Sequence, residues 1–186
     1  MGMSAQDKML NVASRLGLTS LKDMQGTTRV VYDSQTTAAL NHTFFKGAAQ
    51  RAFPLSNVGA NGNQFQVNEA LLVEKIGFFV PANAAGADYN GLGFAGVSVK
   101  FDLVIGNKTV IKDASVELGG EQAFYNDGTA SSSVIDLEGV GILIPPQVEY
   151  YVIAKAFDTA NRTGTSTRLG CYLFGTGALL NFNTTI

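Results

Sequence analysis

The chain has no tryptophan, one cysteine, one histidine and four prolines in 186 residues, and these shortages already remove several functions. A single Cys171 excludes an internal disulfide framework, and in RLGCYLFG it reads as a small buried hydrophobe. One Cys and one His do not supply the three or four N/S ligands of a zinc site, so no metal is expected. Charge is scarce as well: 15% of residues are charged, against about 25% in an ordinary domain. Net charge is −2, no run of Lys or Arg could track a phosphate backbone, and nucleic-acid binding is not expected. Long apolar runs are missing too. The greasiest window, ALLVEKIGFFVPA (70–82), contains Glu74 and Lys75 and falls short of the roughly 20 apolar residues of a membrane-spanning helix. MGMSAQDKMLNV lacks the charged leader and apolar core of a signal peptide, so no membrane or secretory association is expected. The sequons at Asn41, Asn107, Asn161 and Asn183 then read as plain turn and strand residues.

Catalytic motifs are equally sparse. No G-x-x-x-x-G-K-[ST] loop and no G-x-S-x-G elbow occurs. GLGFAG (91–96) has dinucleotide-loop spacing, but it leads into a strand, whereas pyrophosphate binding needs a helix N-terminus after the glycines. Asp88, Asp113 and Asp127 lie in or beside long loops without the D-x-D-x-D-G order of a calcium loop, and Asn126-Asp127-Gly128 reads as a turn. His42, ahead of Thr43, Phe44 and Phe45, reads as a structural strand residue, although a Cys171–His42 dyad stays open. The expectation is a protein without catalytic residues, metal or cofactor.

What the sequence holds in quantity is strand. A helix is predicted over 4–18, capped by Ser4, favoured at its positive end by Asp7, with Met9, Val12, Ala13 and Leu16 as a narrow apolar stripe and Gly17 closing it. Strands are predicted at 27–32, 42–46, 63–67, 70–80, 97–106, 108–112, 140–144, 148–157, 167–175 and 178–183. In VSVKFDLVIG, Val97, Val99, Phe101, Leu103 and Ile105 alternate with Ser98, Lys100 and Asp102, and Gly106-Asn107 turns the chain into the next strand. Long Gly/Ala/Asn/Ser-rich loops are expected at 81–96 and 113–133. With no βαβ alternation, the pattern predicts an all-β, antiparallel, jelly-roll-like β-sandwich over 26–186, preceded by an N-terminal helical arm over 1–25.

GVGILIPPQVEYYVIAKAF (139–157) shows how the surface could be used. Pro145 and Pro146 lack amide donors, so they separate two strands at a sheet edge or corner. Beyond them, Val148, Tyr150, Val152, Ala154 and Ala156 form a core face. The opposite face carries Tyr151, Ile153 and Phe157, too apolar for open water, as contacts to a loop, the helix or a neighbouring subunit. Further candidate interface residues are Met9 and Leu16 on the arm, and Tyr89, Phe94, Phe124 and Tyr125 in the long loops.

GTTRVVYDS (26–34), RAFPLSNV (51–58), NQFQVNEALLVEKIGFFVPA (63–82), DLVIGNKTVIKD (102–113), GVGILIPPQVEYYVIAKAF and TRLGCYLFGTGALLNF (167–182) carry a resemblance. Their order resembles small structural proteins of tailed-bacteriophage virions, including jelly-roll capsid, auxiliary and decoration proteins. The resemblance implies a non-enzymatic building block of the virion, assembled in the host cytoplasm and in contact with copies of itself and with other virion proteins. The alternative is a sandwich module that binds carbohydrate or a host surface through the loops at 81–96 and 113–133, although the lack of tryptophan removes a common sugar platform.

Overall fold

The computed structural model describes residues 4–18, 21–22, 24–35, 41–46, 56–58, 62–79, 97–118, 134–137, 139, 141–157 and 169–180. Among these described residues, helix α1 (Ala5–Arg15) is followed by nine strands: β1 (Met24–Gln35), β2 (Asn41–Phe44), β3 (Glu69–Phe79), β4 (Val97–Ile105), β5 (Lys108–Leu118), β6 (Val134–Asp136), β7 (Ile142–Ile144), β8 (Tyr150–Phe157) and β9 (Leu169–Leu180). Every strand pairing is antiparallel.

The pairing follows one rule. β1 pairs with β9, β2 with β8, β3 with β6 and β7, and β4 with β5, as if one long hairpin had been laid out and its arms zipped together. That hairpin is then rolled, so that β9 also meets β3 and β8 also meets β4. The products are a β1-β9-β3-β6 sheet (sheet A), with β7 also on β3, and a β2-β8-β4-β5 sheet (sheet B). This winding is a jelly roll, and it establishes the expected all-β sandwich.

Between the sheets lies a core that includes Val31, Phe44, Phe45, Phe65, Leu71, Val73, Ile76, Phe78, Val99, Phe101, Leu103, Ile144, Tyr150, Val152 and Leu173. Phe78 of sheet A meets Phe101 of sheet B with ring centroids 5.0 Å apart. Alternation explains the sorting: Val99, Phe101 and Leu103 are buried while Lys100 and Asp102 between them are not. Pro145 and Pro146 sit where the chain leaves β7 of sheet A and enters β8 of sheet B, the corner expected of them.

Several expectations are corrected. The segment 63–67 alternates like a strand but is irregular: Asn63 O accepts the Tyr150 N–H at 2.9 Å and Phe65 O the Gln147 N–H at 3.0 Å, and acceptors two residues apart facing donors three apart do not make a regular ladder. The two strands predicted at 167–175 and 178–183 are one strand, β9. The loop expected to begin at Asp113 begins later, since β5 runs to Leu118 across a bulge at which Asp113 has φ 54° and donates its N–H to Asp102 Oδ1 at 2.6 Å. The helix is shorter than predicted, but Ser4 caps it as expected, and Asp7 returns the bond in a capping box.

A second bulge shapes sheet A. In β3, Val73 lies opposite Gly175 and Lys75 opposite Phe174, which leaves Glu74 as the extra residue. A Cβ on Gly175 would stand 1.9 Å from Leu72 O, so only glycine fits there. On the other side of β3 the partner strand is interrupted at the same level. β6 ends at Asp136, Leu137 N–H bonds Glu74 O at 2.6 Å, and β7 starts at Ile142.

Candidate functional site

Asp33, Ser34, His42, Ser56 and Glu74 are the buried polar residues among those described. His42 is buried and its ring stacks on Phe44 at 5.6 Å. It belongs to sheet B, whereas Cys171 belongs to sheet A. Burial first, and then the neighbouring Asp33 carboxylate, push the Cys171 thiol well above its ordinary range, the reverse of an activated nucleophile. Asp33 is itself fully buried and accepts the Phe45 N–H at 2.7 Å, which holds Phe45 at a positive φ of 71°. Among the described residues, no group of His, Cys, Asp and Glu is placed to hold a metal ion, and no helix is long and apolar enough to cross a membrane.

The surfaces are more informative. The outer face of sheet A is divided between two coverings. Over one half lies α1, which buries Val12 against Ala70, Leu72 and Ala178, with Met9, Leu16, Met24, Leu143 and Leu180 packed around them. Lys8 Nζ reaches Glu74 Oε2 at 2.8 Å, and Arg15 donates to Gly141 O at 3.0 Å. Met9 and Leu16, candidates for an intersubunit contact, are thus engaged on this chain's own sheet.

The other half of that face carries aromatic side chains. Register places Val30, Phe174 and Lys75 in one row and Tyr32, Tyr172 and Gly77 in the next. The Tyr172 ring lies flat over Gly77, where a Cβ would come within 2.4 Å of it. Sequence reasoning missed this platform. Its signal is the alternation of Val30 and Tyr32, and of Tyr172 and Phe174, on strands whose other face is core.

Sheet B presents the face singled out on β8. Tyr150, Val152 and Ala154 are core, as expected of them, and Ile153 on the opposite side is 43% exposed. Beside it Tyr151 is half-buried under Lys46, whose Nζ is 5.4 Å from the ring centroid. Register adds Val104 opposite Tyr151, and Thr43 and Asp102 on either side of Ile153. Lys100 and Asp113 form an ion pair at 2.7 Å on the same sheet, which raises the Lys100 pKa and lowers that of Asp113 through their mutual hydrogen bond and attraction. The backbone of Phe157 belongs to β8; its side chain, and Tyr89, Phe94, Phe124 and Tyr125 altogether, lie outside the described residues.

The sequence matches no family model and no curated protein.

Proposed function

We propose that this protein is a non-enzymatic structural subunit of a virion, capsid-associated, auxiliary or decorating, that assembles in multiple copies through protein contacts. The observation that carries this reading is the outer face of sheet B, where Ile153 stands exposed beside Tyr151 on a regular strand. A lone exposed aliphatic side chain is ordinary on a monomer; Ile153 supports the reading because Tyr151, with Val104 opposite it, adjoins it on the same face of a chain in which only 15% of residues are charged. Jelly-roll winding supports the same reading, since it is a common frame of viral shell proteins, although lectin domains and cupins share it and fold alone does not assign function.

The test is association of the purified chain, measured by light scattering after size exclusion across a range of concentrations. The wild type is expected to form oligomers, and Ile153→Lys to shift them towards monomer with little change in melting temperature, because Ile153 points away from the core and lies opposite Asp102. A wild type that stays monomeric at high concentration overturns the proposal.

A further inference from the structure

β1 is an edge strand, and among the described residues its open side is protected along only part of its length. Towards its end, Asn57 imitates a partner strand. Its Oδ1 accepts the Tyr32 N–H at 2.7 Å, its Nδ2 donates to Val30 O at 2.8 Å, and its own N–H donates to Tyr32 O at 3.2 Å. These bonds show which backbone groups point away from β9. In a strand with regular register they belong to every second residue, so Gly26 and Thr28 also turn their N–H and C=O groups outward. Met24 fits the pattern, since its N–H bonds Leu21 O at 3.1 Å on the outward side. Gln25, Gly26, Thr27 and Thr28 are all exposed. Among the described residues, the one contact to their outward groups is a long 3.4 Å approach of the Thr27 hydroxyl to Thr28 O.

The geometry points to this open stretch of β1 as a self-pairing edge, which adds antiparallel to the same stretch of a second copy about a twofold axis through Thr27. The inference rests on the reading of the chain as a multi-copy subunit and names one of its contacts. Self-pairing is favoured over another partner because the open groups complete one another. With Gly26 opposite Thr28 of the other copy, each N–H meets a C=O and no group is left over. Register has little freedom. A slide one way runs into the bonds already made by Asn57, and a slide the other way meets the Met24 N–H already given to Leu21 O. On the axis the two Thr27 residues form a close, non-hydrogen-bonded pair, favourable for threonine. So short a ribbon buries less than the roughly 800 Å² per partner of a stable dimer, so it acts together with other contacts such as the Ile153 face.

Two variants test it. Thr28→Pro removes an outward N–H without touching the bonds to β9. It is expected to weaken self-association about tenfold or more while the melting temperature stays near that of the wild type. Thr27→Cys places one accessible thiol on the axis, since Cys171 is buried. Mild oxidation is expected to give a covalent dimer, whereas Gln25→Cys, away from the axis, gives none. If the wild type associates but Thr27→Cys gives no disulfide and Thr28→Pro associates as before, edge pairing is overturned and the multi-copy reading stands. A wild type that never associates, with no crosslink, overturns both. Should Thr28→Pro fail to fold, the cysteine pair decides alone.

Discussion

Lys8 on α1 and Glu74 on β3 close an ion pair of 2.8 Å across the seam between helix and sandwich, with the Glu74 side chain 7% exposed. The other carboxylate oxygen accepts the Thr176 hydroxyl at 2.6 Å. Glu74 is available for this because it is the extra residue of the bulge. The anchor of the helix and the irregularity of the strand are one feature.

Removing Lys8 leaves that carboxylate nearly buried without its cation. Lys8→Ala is expected to cost about 1–3 kcal/mol in denaturant unfolding, and to speed proteolysis around 16–23 as the helix lifts. Adding Glu74→Gln to Lys8→Ala should cost less than the sum of the two single changes, because a neutral amide does not need the cation.

Gly175→Ala would drive a methyl into the Leu72 carbonyl, a contact with backbone that no rotamer relieves. The expected loss is more than about 3 kcal/mol, read from the midpoint of a denaturation curve. A native-like midpoint would mean that the bulge can move.

Alkaline pH should destabilise the fold. Burial, then Asp33, raises the Cys171 thiol above its ordinary 9.0. Burial also raises the Tyr150 phenol above its ordinary 10.0, with Arg29 opposing and Asp33 and Glu69 adding to the rise. Unfolded chains therefore release these protons at lower pH than folded ones. The stabilisation is whole below the unfolded values and declines as pH rises past 9.0 and then 10.0, by up to about 1.4 kcal/mol per pH unit for each group. Denaturation midpoints from pH 7 to 11 check it, and Cys171→Ala should remove the earlier part of the decline.

Thiol labelling gives an independent readout of the same burial. Native protein should react with a thiol reagent only as fast as it opens, and denatured protein at once. Rapid native labelling would contradict the buried position of Cys171.

The strands with clean alternation were legible in the sequence. Val99 to Ile105 and Tyr150 to Ala154 sort their faces by period, and Pro145-Pro146 marks the passage between sheets. Three things were not legible, each for a physical reason. Gly175 and Gly177 read as punctuation and cut β9 in two, because a glycine required by close approach, of backbone at Gly175 and of side chains at Gly177, resembles one that ends a strand. Asp113 read as the start of a loop because its left-handed backbone interrupts the alternation without ending the ladder. The half-open edge of β1 depends on where Asn57, distant in sequence, comes to rest. On the surface, the period of β8 identified the exposed Ile153, whereas the platform of Tyr32 and Tyr172 forms only when β1 and β9 come side by side.

The extra residue in β3 means that the strand is written in two reading frames. Before Glu74, Leu71 and Val73 face the core; after it, Ile76 and Phe78 do, one step out of phase. Deleting Glu74 would bring the two frames into phase, with Leu71, Val73, Ile76 and Phe78 still on the core face and the ladder to β9 unbroken. What such a deletion would take away is the carboxylate that Lys8 and Thr176 share, so its cost would fall on the seat of the helix rather than on the core.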